Sequence, residues 1–429
     1  MQCNRSNLAI FLCVAAGVSA AALAQVPKTA KVKPGELDGE VVNAKGAPVA
    51  GAQILWQAAD GETPHVLHSD LHGRFHIEPL RTGSYDFRAS ASGAWSEWEH
   101  NVFVRPGNVT NLKLRLSFKE APVPVGVELK GVMHSWDAPV PGAVPHDSAA
   151  DPKGNIWFTL QETGHIARFN PDTHEWKLFK VQTPNSGPHG LVSDTFGNIW
   201  FTENSAGKIG RLDSKTGAIT EFIPPNAKDP HTLVFGPDGA LWFTAQNANL
   251  IARLDTLTGK IEEYSVPTQN SQPYGIVSAD DGGLWFCELS GKRLGRVDPS
   301  SGAIIEFTPP ESGIELRRLV AVKGAIYFTD SAGGRLGRLT LSDKKFKFWN
   351  SPSGDHSEPY GIGADSAGKI WYEESGADAN KLVRFDPAVE VFRTYPMPAP
   401  NSSVLNMARD GKGRLWMPLS LANKVAVID

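Results

Sequence analysis

From about residue 131 to the end of the chain, apolar and polar positions recur as a block of 42–45 residues. The aromatic residue of each NIWFT-type run marks the block: Trp157, Trp200, Trp242, Trp285, Tyr327, Trp371 and Trp416, at intervals of 43, 42, 43, 42, 44 and 45. Order within a block is constant. A P-H-G or P-Y-G turn opens a short apolar run, and an Asp/Gly turn leads into the aromatic run. An I-G-R-L-D run (Ile209 to Asp213 in the second copy) and one like ITEFIPP complete it. Four short antiparallel strands in 42–45 residues form the blade of a β-propeller. One such sheet cannot bury both faces, so blades must stack, with the Trp and Phe residues between them. The seventh copy stops at Asp429 after its third strand. A fourth-strand pattern, HSWDAPVP, stands at 134–141 instead. Residues 131–137 are therefore expected to pair onto the last blade and close the ring, leaving little exposed edge. The expectation is an all-β chain with a seven-bladed propeller over 131–429. In it the Trp stripe is core, and Arg168, Arg211, Arg253, Arg296, Arg338 and Arg384 on third strands are structural.

Ahead of the repeats the period changes to two. LDGEVVN, AQILWQA, GRFHIEPL, SYDFRASAS and VTNLKLRL alternate apolar and polar residues between Gly/Pro-rich turns, which predicts a small β-sandwich over 36–118. Its motifs G-x-P-V-x-G-A, D-x-x-G-x-F and L-x-x-G-x-Y resemble the carboxypeptidase regulatory-like domain, a prealbumin-like sandwich. The resemblance implies an accessory module rather than a catalytic one. His65, His68, His72 and His76 fall within it; they read as solvent-facing residues rather than a converging metal set. Lys/Pro-rich linkers are expected at 25–35 and 119–130. Residues 1–24 carry Arg5, the apolar stretch LAIFLCVAAGVSAAA and an A-x-A site before Gln25, the pattern of a secretory signal peptide. A secreted or periplasmic protein follows.

Composition narrows the classes. The formal charge of −4 gives no basic footprint for nucleic acid. No later segment reads as a membrane helix. Cys3 and Cys13 lie in the leader, so Cys287 is left without a disulfide partner and reads as buried and inert. The expectation is a monomer.

Candidate chemistry gathers at one mouth of the propeller. The residue after the Pro of each opening turn reads His146, His189, His231, Tyr274, Arg317, Tyr360 and Leu405 around the ring. The second-strand ends read Leu160, Glu203, Ala245, Glu288, Asp330, Glu374 and Leu419, and Asp229 and Glu358 stand two residues before a rim position. A hairpin centred between Phe196 and Gly197 sets His189 against Asn204, beside Glu203. Imidazoles and carboxylates at one mouth supply acid–base groups or a hard-metal site.

The P-H-G/P-Y-G turn, the W-F-T-E strand and the I-G-R-L strand together resemble the virginiamycin B lyase (streptogramin B lyase) family, over all seven blades. The resemblance implies a C–O lyase that opens a cyclic depsipeptide at its ester by Mg²⁺-assisted elimination. It also implies a working set of a P-H turn, an E-P-H-G turn on the next blade and a strand-end Glu. Two registers fit. One takes His146, His189 and Glu203, with Gly187 in place of the leading Glu. The other takes His189, Asp229 and His231, with Ala245-Gln246 at the strand end. His189, His146 and His231 are thus the candidate catalytic residues, and Glu203 and Asp229 the candidate Mg²⁺ ligands. The expected ligand is a small molecule or cyclic peptide in the funnel. The alternative is a non-catalytic periplasmic binding propeller.

Overall fold

A computed structural model describes residues 34–58, 65–91, 94–96, 99–118, 129, 131–376, 380–399 and 402–429. The expected leader at 1–24 and most of both expected linkers lie outside the described residues. Every described element is a strand, and no helix is long and apolar enough to cross a membrane.

In the first domain, strand Gly35–Val42 runs parallel to Val109–Phe118 and antiparallel to Arg74–Leu80, and Gln53–Ala58 pairs with Gly83–Ala91. Alternate residues Leu37, Val41, Phe75, Ile77, Tyr85, Phe87 and Leu114 point into one core. Three further strands, His65–His68, Ala94–Ser96 and Glu99–Val104, are too short and too weakly alternating to stand out in sequence.

The repeats fold as seven four-stranded sheets. The seventh contains Ala408–Arg409, Leu415–Leu419 and Lys424–Ile428, and Met133–Asp137 supplies its fourth strand, with Val425 opposite Trp136 and Ile428 opposite Met133. The Trp136 indole stacks on Trp416 at 5.6 Å and reaches Phe169 of the first blade at 5.1 Å. Closure is therefore both a strand pairing and an aromatic contact between the last blade and the first.

The repeated turn has a physical cause. In the first, second and seventh blades one oxygen of Asp151, Asp194 or Asp410 accepts backbone N–H groups of its own turn. The other oxygen accepts the indole N–H of Trp157, Trp200 or Trp416 at 2.9–3.1 Å. A buried Trp needs such a partner, so the Asp and the Trp six residues later recur together. Arg168, Arg211 and Arg384 lie over the rings of Trp157, Trp200 and Trp371, while Arg253 and Arg296 pair with Asp238 and Asp281. The fifth blade breaks the pattern coherently. Val322 pairs with Ala325 across a two-residue Lys323-Gly324 turn with both φ positive, the primed hairpin geometry, and Tyr327 replaces the Trp. Each fully buried Trp removes enough apolar surface to contribute about 5 kcal/mol before entropy is counted. Cys287 is buried in this core, where burial pushes its thiol pKa up.

One expectation is corrected. In the hairpin of Pro188–Ser193 and Ile199–Glu203, Val192 faces Trp200 and Pro188 faces Glu203, with a register shift between Pro188 and Leu191. His189 does not face Asn204. The hairpin is centred on Phe196 rather than between Phe196 and Gly197, which moves each partner by one residue, and a β-bulge at His189-Gly190 absorbs another. The same shift occurs in the first six blades.

Candidate functional site

The bulge is what builds the channel mouth. It is held from the neighbouring blade by the Thr of the W-F-T run. Thr159 Oγ1 donates to the His189 carbonyl at 2.6 Å and accepts the Asp147 N–H at 3.0 Å. Thr202 does the same for His231 and Gly190, and Thr244 for Tyr274 and Thr232. Each blade thus fixes the inner strand of the next. The Gly of P-H-G is required by the same closeness: a Cβ at Gly190 would lie 2.7 Å from the His231 carbonyl oxygen.

This ladder brings the three candidate imidazoles together. The rings of His146 and His189 are 3.8 Å apart, those of His189 and His231 4.0 Å, and those of His231 and Tyr274 4.0 Å, tilted by 41–47° at each step. All four side chains are buried, between 4 and 6 % exposed. Tyr274 and Tyr360 share a hydrogen bond between hydroxyls, and the Arg317 guanidinium lies 5.0 Å from the Tyr360 ring. Burial, then the neighbouring His146 and the Arg318 cation, push the His189 pKa well below its ordinary value; Asp147 and the His231 carbonyl only partly oppose this. Burial, then His189 and Arg318, do the same to His231. Both rings are neutral at neutral pH. The His189 Nδ1 is buried without a hydrogen-bond partner among the described residues.

Sequence reasoning passed over Asp147 and Arg318. Arg318 comes from the fifth blade. It donates to Asp147 of the first blade at 2.9 Å and to Thr232 of the third at 3.1 Å. Asp147 also takes His146 Nδ1 at 2.8 Å. The signal was present in sequence as two ionisable residues in a column otherwise filled by Gly190, Thr232, Gly275, Gly361 and Asn406.

The strand-end acids lie elsewhere. Glu203, like Ile199 and Phe201, is on the face turned to the preceding blade. It is fully buried, and its carboxylate oxygens have no hydrogen-bond partner among the described residues. Burial and then Glu221 push its pKa up to about 7, against Lys208. In the sixth blade the equivalent Glu374 accepts from Ser351 Oγ, Ser353 N–H and Ser353 Oγ. In the fifth, Asp330 accepts the Glu315 and Gly333 N–H groups and Arg335. These two acids anchor the connection that enters their own blade. Asp229 accepts the backbone N–H groups of Asn247 and Ala248. The structure therefore brings His146, His189 and His231 together and leaves Glu203 and Asp229 outside that group.

Those donors do not fit Mg²⁺, which takes an octahedron of oxygen atoms and keeps several waters. Among the described residues, the buried group whose ligand atoms all lie within 4.8 Å of one another is His146, Asp147 and His189. It offers two nitrogens and one carboxylate already paired with a guanidinium. In the first domain His76 bonds Asp38 at 2.6 Å and lies near Glu36 and Glu78, while His65 stacks on Trp56. Among the described residues, no candidate metal group holds more than one of the four histidines of that segment.

Residues 125–322 match the Virginiamycin B lyase family and residues 36–117 the carboxypeptidase regulatory-like domain. No curated protein matches the chain. Among solved structures, a streptogramin B lyase is 27% identical, with a TM-score of 0.64, covering 70% of this chain and 97% of its own. Virginiamycin B lyase from Staphylococcus aureus is 27% identical, with a TM-score of 0.63 and coverages of 69% and 98%. A catalytically inactive histidine-to-alanine variant of that enzyme with quinupristin is 26% identical, with the same TM-score and coverages. The chain thus carries a match to the carboxypeptidase regulatory-like domain followed by a match to the Virginiamycin B lyase family over the first half of the propeller and a little beyond.

Proposed function

We propose that the chain is an exported, virginiamycin B lyase-like C–O lyase whose channel imidazoles move the proton in opening a cyclic depsipeptide ester. The observation that carries this reading is the stack of His146, His189 and His231 from three consecutive blades, with His189 and His231 neutral. A neutral imidazole accepts a proton from the carbon α to a carbonyl. The C–O bond at the β carbon then breaks, a carbon–carbon double bond forms, and the carboxylate leaves with the electron pair. The groups nearest for that carboxylate are the hydroxyls of Tyr274 and Tyr360 and, beside the Tyr360 ring, the Arg317 guanidinium, which is already paired with Glu315.

The test is incubation of the chain from Gln25 onward with a streptogramin B, read by mass spectrometry. Elimination gives a linear product of unchanged mass, and hydrolysis adds one water. His189→Ala should abolish turnover with the all-β spectrum retained; undiminished turnover would place the chemistry on other residues. Export is tested by N-terminal sequencing of the mature protein, which should begin at Gln25.

A second reading, a periplasmic binding propeller, is favoured by the burial of all three imidazoles, at 4–6 % exposed. Absence of either product, with tight binding of an envelope peptide or glycan that His189→Ala removes, would select it.

A further inference from the structure

Arg318 and Asp147 are an ion pair buried at the heart of the propeller, 5 % and 3 % exposed at the side chain. Such a pair is weak evidence for stability, because removing both charges from water costs as much as their attraction returns. Its placement shows another use. Asp147 and Thr232, the two groups that accept from the guanidinium, are each also the partner of a channel imidazole. His146 Nδ1 lies 2.8 Å from Asp147 Oδ1, and His231 Nδ1 lies 2.9 Å from Thr232 Oγ1. One guanidinium braces two of the three rings, from a blade that contributes none of them.

The proton on the first contact can be assigned. Burial pushes the Asp147 carboxyl up, but the Arg318 guanidinium and the His146 N–H outweigh it and hold the pKa at about 2. At neutral pH this carboxylate is ionised, and an ionised carboxylate only accepts hydrogen bonds. The hydrogen of this contact therefore sits on His146 Nδ1, which leaves Nε2 as the nitrogen free to exchange a proton. Thr232 sets no such constraint on His231, since a hydroxyl both donates and accepts. His189 Nδ1 is buried with no partner among the described residues.

We infer that Asp147 and Arg318 are positioning residues that lock His146 in its Nδ1–H tautomer and present its Nε2 as the proton-accepting atom of the channel. The inference rests on the acid–base reading of that site. A carboxylate on one nitrogen that fixes the ring and frees the other is a recurring arrangement in acid–base catalysis.

The experiment is ¹⁵N NMR of the imidazole nitrogens in the full chain at neutral pH, with the His146 signals assigned by their loss in His146→Gln. His146 should show a protonated Nδ1 and an unprotonated Nε2. In Asp147→Ala/Arg318→Ala, where neither charge is left unpaired, the ring should change to the Nε2–H form that free imidazole side chains prefer. Streptogramin turnover should then fall by roughly 10²–10⁴ in kcat with little change in KM. Arg318→Lys, which keeps a cation beside Asp147, should retain the Nδ1–H form. An Nε2–H ring in the parent chain, or an unchanged ring in the double variant, overturns the inference whatever the activity. Should the double variant fail to fold, the parent spectrum decides. The expected tautomers without turnover in any chain would count against the lyase reading and leave the positioning intact.

Discussion

Replacing Glu288 by Gln should stabilise the propeller at high pH and leave it nearly unchanged at low pH. Glu288 ends the second strand of the fourth blade, fully buried, with both carboxylate oxygens lacking a hydrogen-bond partner among the described residues. Burial, and then Glu306, raise its pKa from 4.5 to about 7, against the pull of Arg293. The sign follows from proton binding. Between these two values the folded chain holds a proton that the unfolded chain has lost, so stability falls as pH rises through that window and levels off above it. At 1.36 kcal/mol per pKa unit the loss is on the order of 3 kcal/mol. Gln has a similar shape and no charge to bury, so the variant escapes that loss. Thermal melts at pH 5 and pH 8 should show near-equal midpoints at pH 5 and a variant roughly 5 °C higher at pH 8. Glu374→Gln is the contrast. Its carboxylate accepts three hydrogen bonds from Ser351 and Ser353, so an amide there should destabilise at both pH values. A Glu288→Gln variant that keeps the parent's pH slope would refute the reasoning.

Glu203→Gln should behave as Glu288→Gln does, and Mg²⁺ should not shift the parent's melt at pH 8; a Mg²⁺-dependent rise that Glu203→Gln removes would establish an oxygen-ligand site there. Trp136→Ala should cost about 3–5 kcal/mol, because its ring bridges Trp416 and Phe169, and a chain starting at residue 142 should lose at least as much; a melt like the parent's would contradict ring closure through Met133–Asp137. A chain starting at residue 127 should fold alone with an all-β spectrum, and an aggregated product would count against separable domains.

The propeller was legible because its repeated residues each meet a repeated need. Trp fills the space between blades, Asp accepts its indole N–H, and Gly in P-H-G makes room for the next inner strand. The three imidazoles were legible for the same reason, as members of one column. The bulge was not legible. It arises because Thr159, Thr202 and Thr244 reach across to the next blade and hold its backbone, an interaction between residues about 30 apart that local alternation does not report. Missing it shifted the register, and with the register went the placement of Glu203 beside His189.

The same bulge explains why Arg318 escaped notice. It lets two consecutive residues of an inner strand serve the channel, so the column after the rim matters as much as the rim itself. That column reads Asp147, Gly190, Thr232, Gly275, Arg318, Gly361 and Asn406, with glycine in every second blade and a polar residue in the others. Asn406 accepts both the N–H and the hydroxyl of Ser148, and Arg318 donates to both Asp147 and Thr232. The two terminal nitrogens of Arg318 thus find partners on other blades, where a buried polar group without one would be costly. Arg318 and Asp147 are 171 residues apart in sequence and neither stands in a recognisable motif. What marks them is charge: in a ring whose copies are nearly interchangeable, an ionisable residue in a column otherwise filled by glycine, threonine and asparagine needs a counter-charge in the same column of another blade.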